Sequence, residues 1–347
     1  MGPESPDGAP REIPLAAIEA AAGRVAGRVR HTPLLSSRTA ARLVGQRFGV
    51  TLGDGGLGDG QPRILVKAEH LQVTGSFKPR GATNRVMQLG EAERRRGLVA
   101  ASAGNHGIAV AYAGAAEGLP VTVVMPEGAS PAKAAAIAGY GARVVLHGTH
   151  FGDSLDYARG SAERDGSLLI HPYDDPAVIA GQGTVGLEIL QDVPALDVIV
   201  VGAGGGGLAT GIASAVRALR PAVRVYGVEP ATSNALFLGV AAGKPVPIAP
   251  VSIADGLGAA AGGDWTIPLA TRLLEPIVLV DEATIARGVR FALERMKQLL
   301  EPAGAAGLGA LLAGQIPVRD GETVVVVASG GNMDLDRLPA ILEMAGD

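Results

Sequence analysis

The chain has 347 residues, enough for about two domains and a sizeable core. Apolar residues make up 47 % but aromatics only 3 %, so the core must be built from Ala, Val, Leu and Ile, as in parallel sheets covered by Ala-rich helices. A net charge of −4 argues against the basic stripe that nucleic acid requires, and the lack of cysteine excludes disulfides, thiolate metal sites and thiol nucleophiles.

Residues 1–13 read as a disordered tail, and Met1–Pro10 carries no apolar run of the kind an export signal needs. No stretch of about 18 residues is apolar without Gly, Pro or charge, so no membrane span is expected and a cytoplasmic protein is the default. Helical spacing starts at Leu15 and runs through Ile18, Ala22 and Val25. Thr32-Pro33-Leu34-Leu35 interrupts it, and a second helix is expected from about Ser37 to Leu43. Residues 51–63 form a Gly/Asp-rich loop, read as a flexible surface insertion; one short Gly-Asp copy is too little for a calcium repeat.

From residue 64 the pattern is strand, Gly-rich turn, helix, repeated. Strands are expected at Ile64–Val66, Leu98–Ala101, Val121–Met125, Arg143–His147, Asp197–Val201, Val223–Val228, Ile277–Val280 and Thr323–Ala328. Ser130-Pro131 opens a helix with an N-cap and an N1 proline. Ala283–Leu300 reads as one long amphipathic helix, with Ile285, Val289, Ala292, Met296 and Leu299 on one face. The fold class is therefore α/β, with parallel strands in two lobes and ligands at the strand C-termini.

Four turns carry the candidate chemistry. In Gly75-Ser-Phe-Lys78-Pro-Arg-Gly81, Phe77 holds the stem of Lys78 against an apolar wall; a lysine desolvated in this way is a nucleophilic amine or a base, and otherwise a loop charge at a helix start. Gly202-Ala-Gly204-Gly205-Gly206-Gly207-Leu208 follows a buried strand and precedes a helix, so its bare N–H groups form an anion cradle. The same glycines satisfy G-x-G-x-x-G, and Glu229 ends the next strand as a dinucleotide ribose ligand would; a nicotinamide-dependent oxidoreductase is thus a second reading, one that leaves Lys78 without a role. Ser102-Ala103-Gly104-Asn105-His106 is another strand-to-helix anion site, suited to a substrate carboxylate, or else an ordinary cap with His106 satisfied in the fold. Ser329, after the last strand, either bonds a ring nitrogen or caps a turn.

Taken together, these stretches resemble fold-type II pyridoxal-phosphate enzymes, and within them the threonine/serine dehydratase group that includes serine racemase and hydroxyaspartate dehydratase. The resemblance rests on Lys67–Ala82, Ser102–His106, Gly181–Thr184 with Glu188, Gly204–Leu208, Ala254–Gly256, Glu301–Ala305 and Ser329–Asn332, and it spans residues 14–340. It implies two lobes, 14–95 with 175–347 binding the cofactor and 96–174 forming the smaller one. It further implies that Lys78 holds pyridoxal phosphate and acts as general base, with Phe77 packed against the cofactor. Gly204, Gly205, Gly206, Gly207 and Leu208 would take its phosphate, Asn105 its ring hydroxyl and Ser329 its pyridine nitrogen, with Gly256 and Glu301 beside it. Ser102, Ala103, Gly104, Asn105 and His106 would hold the carboxylate of a small amino-acid substrate.

The implied activity is ammonia-lyase: threonine or serine goes to a 2-oxo acid and ammonia, with 3-hydroxyaspartate or a bulkier hydroxy amino acid as the alternative within the group, in a homodimer. Departures narrow this. Ala103 stands where serine racemase has its second acid/base serine, which argues against efficient racemisation. The chain ends one helix past Asn332, so no C-terminal regulatory domain is expected. Glu229 is the weak candidate for the group's divalent-cation site, whose second carboxylate is replaced by Ala235.

Overall fold

The computed structural model describes residues 11–56 and 58–346. Most of the expected tail lies outside these; of the rest, Ile13 is buried in an apolar cluster with Ile18 and Ile179, and Arg11 lies over the Trp265 ring, so residues 11–13 are packed rather than disordered. Two sheets form. The larger has the order β1 (Leu34–Ser37), β2 (Ile64–Lys67), β10 (Val324–Val327), β7 (Val198–Gly202), β8 (Arg224–Pro230) and β9 (Val278–Val280). The smaller has the order β5 (Arg143–Leu146), β4 (Val121–Met125), β3 (Leu98–Ala101) and β6 (Leu168–Leu169). Within these two sheets, among the described residues, every strand pairing is parallel except β1 with β2.

The strands of the larger sheet are β-branched and buried on both faces. Ile64, Val66, Val198, Val200, Val324 and Val326 face one apolar layer, and Leu65, Ile199, Val201, Val325 and Val327 face the other. Alternation within an all-apolar run is what a parallel sheet covered by helices on each side demands. β10 pairs with β2 through Val324↔Ile64 and with β7 through Val324↔Val198, so three strands distant in sequence lie side by side and point the same way. Their C-terminal ends lead to Lys78, to Ser329 and to the glycine loop, and that register assembles the site.

Three expectations need correction. Thr32–Leu35 does more than break a helix, because Leu34–Ser37 pairs antiparallel with β2. The long helix is instead Glu282–Phe291 followed by a π turn over Ala292–Met296, closed by Lys297 at φ 60°. Pro302 disfavours helix for the residue before it, and Glu301 is extended (φ −68°, ψ 156°), so the chain leaves the helix early and delivers Glu301 to the site. The insertion at 51–63 is organised by Asp54, whose carboxylate accepts from the amides of Gly56, Gly58 and Gly60 at 2.8, 3.0 and 3.0 Å. Bare glycine amides converging on one carboxylate order the described part of the loop, and Thr51 and Gly53 tie it to Asp320 and Glu322.

Candidate active site

Lys78 opens the helix Lys78–Met87, with Pro79 at a position that needs no N–H partner. Its Nζ donates to the Pro172 carbonyl at 2.9 Å and lies 5.0 Å from the Phe77 ring centroid. Burial pushes the ammonium down to about 8, against a smaller opposing pull from Glu301. The amine thus has a substantial neutral fraction at physiological pH and faces a cavity of about 230 Å³.

Across that cavity lies the glycine loop. Gly204 and Gly206 take left-handed backbone (φ 52° and 95°), and Gly206 precedes the helix Gly207–Leu219. A Cβ on Gly205 would stand 2.5 and 2.6 Å from two Tyr173 ring atoms, and one on Gly206 would stand 2.7 Å from Thr266 Cβ. The loop is therefore bare because its neighbours leave no room for side chains, and Gly205, Gly206, Gly207 and Leu208 line the cavity. Gly204 is the exception among the expected cradle residues. It makes the turn and is not among the lining residues, and a Cβ there would lie 3.1 Å from the Leu257 Cα.

The smaller sheet contributes Ser102, Ala103, Gly104 and Asn105 from the turn after β3. The Ser102 hydroxyl accepts from the Gly104 amide at 3.1 Å and shapes the turn. His106 lines the cavity, but its Nε2 is tied to the Ile170 carbonyl at 2.8 Å, and burial followed by the Lys78 charge pushes it down to about 3. A neutral ring already bonded to the backbone holds the fold together, so His106 offers an anion at this turn no charge, and the backbone N–H groups and the Ser102 hydroxyl are left to bind it. Asn105 Nδ2 donates to Glu301 Oε1 at 2.7 Å. Burial, reinforced by Asp255, pushes the Glu301 carboxyl up to about 8, so at neutral pH it carries a proton. Ser329 and Gly256 complete the lining.

Glu229 stands apart from the cavity. It is fully buried, and its two carboxylate oxygens accept the Leu236 and Phe237 amides at 3.2 and 2.8 Å, which caps the helix Ala235–Ala242. Buried beneath that helix and absent from the cavity lining, Glu229 acts as the helix's cap. Among the described residues no three His, Asp or Glu side chains gather as a metal site.

The site also contains residues that the sequence reading passed over. Pro172 and Tyr173 follow a two-residue strand, too short to show periodicity, and the Tyr173 hydroxyl donates to the Ala261 carbonyl at 2.8 Å. Lys133 reaches across from the helix Pro131–Gly139 to Asp255 at 3.3 Å. That helix lacks the expected serine cap, since the Ser130 hydroxyl is given to Asp334 at 2.7 Å.

A buried amine of lowered basicity, an anion cradle on a helix N-terminus, an amide N–H and a hydroxyl on one cavity suit a phosphorylated aldehyde cofactor. The chain belongs to the pyridoxal-phosphate dependent enzyme family, whose sequence profile matches residues 28–330. It is 41 % identical over 280 residues to L-threonine ammonia-lyase of Thermotoga maritima, covering 80 % of this chain and 69 % of that protein. A putative threonine dehydratase of Sinorhizobium fredii is 40 % identical over 326 residues, 93 % of each chain. Maize serine racemase superposes with a TM-score of 0.85 at 32 % identity, over 95 % of this chain and 97 % of that one. The fold is that of fold-type II pyridoxal-phosphate enzymes, and with the family shown and Glu229 a helix cap the nicotinamide reading falls.

Proposed function

We propose that this protein is a pyridoxal-phosphate dependent ammonia-lyase that converts a β-hydroxy amino acid, threonine first and serine second, to a 2-oxo acid and ammonia. The observation that carries the reading is one cavity with the low-basicity Lys78 amine facing it and the glycine cradle lining it. Lys78 would hold the cofactor, Gly205, Gly206, Gly207 and Leu208 its phosphate, Asn105 its ring hydroxyl and Ser329 its ring nitrogen. Bound there, pyridoxal phosphate supplies the electron sink for breaking a Cα–H bond.

The chain's own residues do the rest. Backbone amides at Ala103 to Asn105, with the Ser102 hydroxyl, hold the substrate carboxylate at the N-terminus of the helix Asn105–Ala116. Lys78 Nζ, whose lowered pKa leaves a substantial fraction of it unprotonated, accepts the Cα proton. Ala103 carries no proton-transfer group, which favours elimination over return of the proton to the other face. Lys133, a cation on the cavity lining, is paired with Asp255, whose own charge disfavours a second substrate carboxylate, and this favours threonine over 3-hydroxyaspartate. The family resemblance supports a cytoplasmic homodimer whose protomer has a smaller lobe, 96–174, beside the lobe formed by 14–95 and 175–347. No helix among the described residues is long and apolar enough to cross a membrane.

The test is borohydride reduction of the yellow protein followed by peptide mapping, with 2-oxo acid release assayed over a panel of hydroxy amino acids. A pyridoxyl adduct on Lys78, lost together with activity in Lys78→Ala, is expected. Activity in a colourless protein, or an adduct elsewhere, would refute the assignment.

A further inference from the structure

Asn332 does not line the cavity, and neither the anion cradle nor the amine explains it. Its side chain is nonetheless tightly held. Nδ2 donates to the Thr74 carbonyl at 2.7 Å and to Asn105 Oδ1 at 2.8 Å, and Asn105 Nδ2 continues the chain to Glu301 Oε1. Room for this row of amides is kept by glycines: a side chain at Gly75 would collide with Asn332 Oδ1, and one at Gly330 with Glu301 Oε1. The two loops that carry it are stitched together by Gly331 N to Gly75 O at 2.9 Å and Phe77 N to Ser329 O at 3.0 Å, so the Thr74 carbonyl is a fixed point.

A carboxamide can turn over and exchange its oxygen and nitrogen at almost no steric cost, so the donors and acceptors around it decide its orientation. A backbone carbonyl can only accept. The Asn332 atom facing Thr74 is therefore the nitrogen. That nitrogen also faces Asn105, so the Asn105 atom it meets is the oxygen, and Asn105 Nδ2 is turned to Glu301, with its second N–H left for the cavity. The Glu301 end cannot enforce this by itself, because a protonated carboxyl both donates and accepts. We infer that Asn332 is a positioning residue, which locks the Asn105 amide with its N–H groups toward the cofactor. This rests on the proposed binding of pyridoxal phosphate at Lys78, where an N–H donor suits a ring oxygen bearing negative charge and a carbonyl oxygen would repel it.

The test is a two-residue cycle on the holoenzyme, read as the rate of cofactor loss on dilution and as the absorbance spectrum of the bound cofactor. Asn332→Asp has no second donor to offer in either protonation state, so Asn105 turns over and presents its oxygen. Cofactor loss should quicken by about tenfold or more, with a changed spectrum. Asn332→Ala removes the anchor without inverting it and should fall between wild type and Asn332→Asp. Asn105→Ala should lose the contact outright, and adding Asn332→Asp to it should change little, because both act through one bond. A wild-type rate in Asn332→Asp, or an undiminished effect of either Asn332 substitution in the Asn105→Ala background, would overturn the inference. Should Asn332→Asp fail to fold, Asn332→Ala completes the same cycle. The Lys78 adduct in the wild type is scored separately; its absence would fault the cofactor assignment and not the amide lock.

Discussion

Gly205→Ala isolates the steric requirement of the cradle. Unlike Gly204 and Gly206, Gly205 does not need left-handed backbone, so an added methyl meets only the clash. Two Tyr173 ring atoms would lie 2.5 and 2.6 Å from it, whereas carbon atoms rest at about 3.5–4.0 Å, so one partner must retreat by about 1 Å. Tyr173 cannot retreat freely. Its hydroxyl is bonded to Ala261 at 2.8 Å, and its backbone is close enough that a Cβ on Gly207 would lie 3.0 Å from it. The loop yields instead, and its N–H groups leave the phosphate. Overpacking of this kind costs about 1–3 kcal/mol, which corresponds to a roughly five- to 150-fold weaker dissociation constant for pyridoxal phosphate. Absorbance titration of the apoprotein measures it, and thermal unfolding without cofactor reports strain left in the fold. Adding Tyr173→Ala should restore much of the affinity. Wild-type affinity in Gly205→Ala, or no recovery in the double variant, would refute the argument that Tyr173 is what keeps residue 205 bare.

Two pH dependences follow with opposite signs. Lys78 sits at about 8 instead of 10.5, so capture of pyridoxal phosphate by the apoprotein should speed up roughly tenfold per pH unit below 8 and level off above it; a rise continuing toward pH 10 would show an amine that is not desolvated. Glu229 is raised by burial to about 7, so its contribution to stability is complete below pH 4.5 and is lost as pH rises through 7. Glu229→Gln keeps an acceptor for the helix Ala235–Ala242 but cannot ionise. Between pH 5 and pH 8 the wild type should therefore lose on the order of 3 kcal/mol relative to the variant in denaturant unfolding, and parallel curves would refute this.

The sheet was legible because its strands are runs of Val and Ile that end at Gly-rich turns, and those turns hold Lys78, the cradle and Ser329. What could not be read depends on contacts between distant segments. Tyr173 sits in the cavity because β6 is only two residues long and the chain after it crosses to the glycine loop. Ala283–Leu300 has an unbroken apolar face, yet the helix stops at Met296, since Glu301 is needed elsewhere and Pro302 fixes its backbone. Glu229 matched a ligand spacing in one dimension, and its amide partners from the following helix appear only in three. Gly204 likewise belongs to the motif by position but serves the turn and not the lining.

How Lys78 and the cradle stay in register, given their separation in sequence, is answered by the helix Pro176–Asp192. A Cβ on its Gly181 would lie 2.6 Å from both Arg80 O and Gly81 Cα, and one on Gly183 would lie 2.9 Å from Gly211 O. The lysine helix and the cradle helix are thus pressed onto one spine at backbone contact. Beside the first crossing, Arg80 forks to Glu69 at 2.8 and 2.8 Å and to Glu188 at 2.6 and 2.9 Å, while Lys67 donates to Thr32 O and pairs with Glu188, each at 2.7 Å. Arg80, Lys67 and Glu69 are fully buried. Two cations face Glu69 and Glu188, with the partly exposed Asp192 a third carboxylate 3.6 Å from Lys67, and their desolvation offsets most of their attraction, so the lattice adds little net stability. Its effect is selection. Any slip of the lysine helix along the spine would leave one of these charges buried and unpaired, at about 3–5 kcal/mol. A one-residue slip would also rotate Lys78 by about 100°, out of the cavity. The ions that fix Arg80 therefore fix the amine two residues before it.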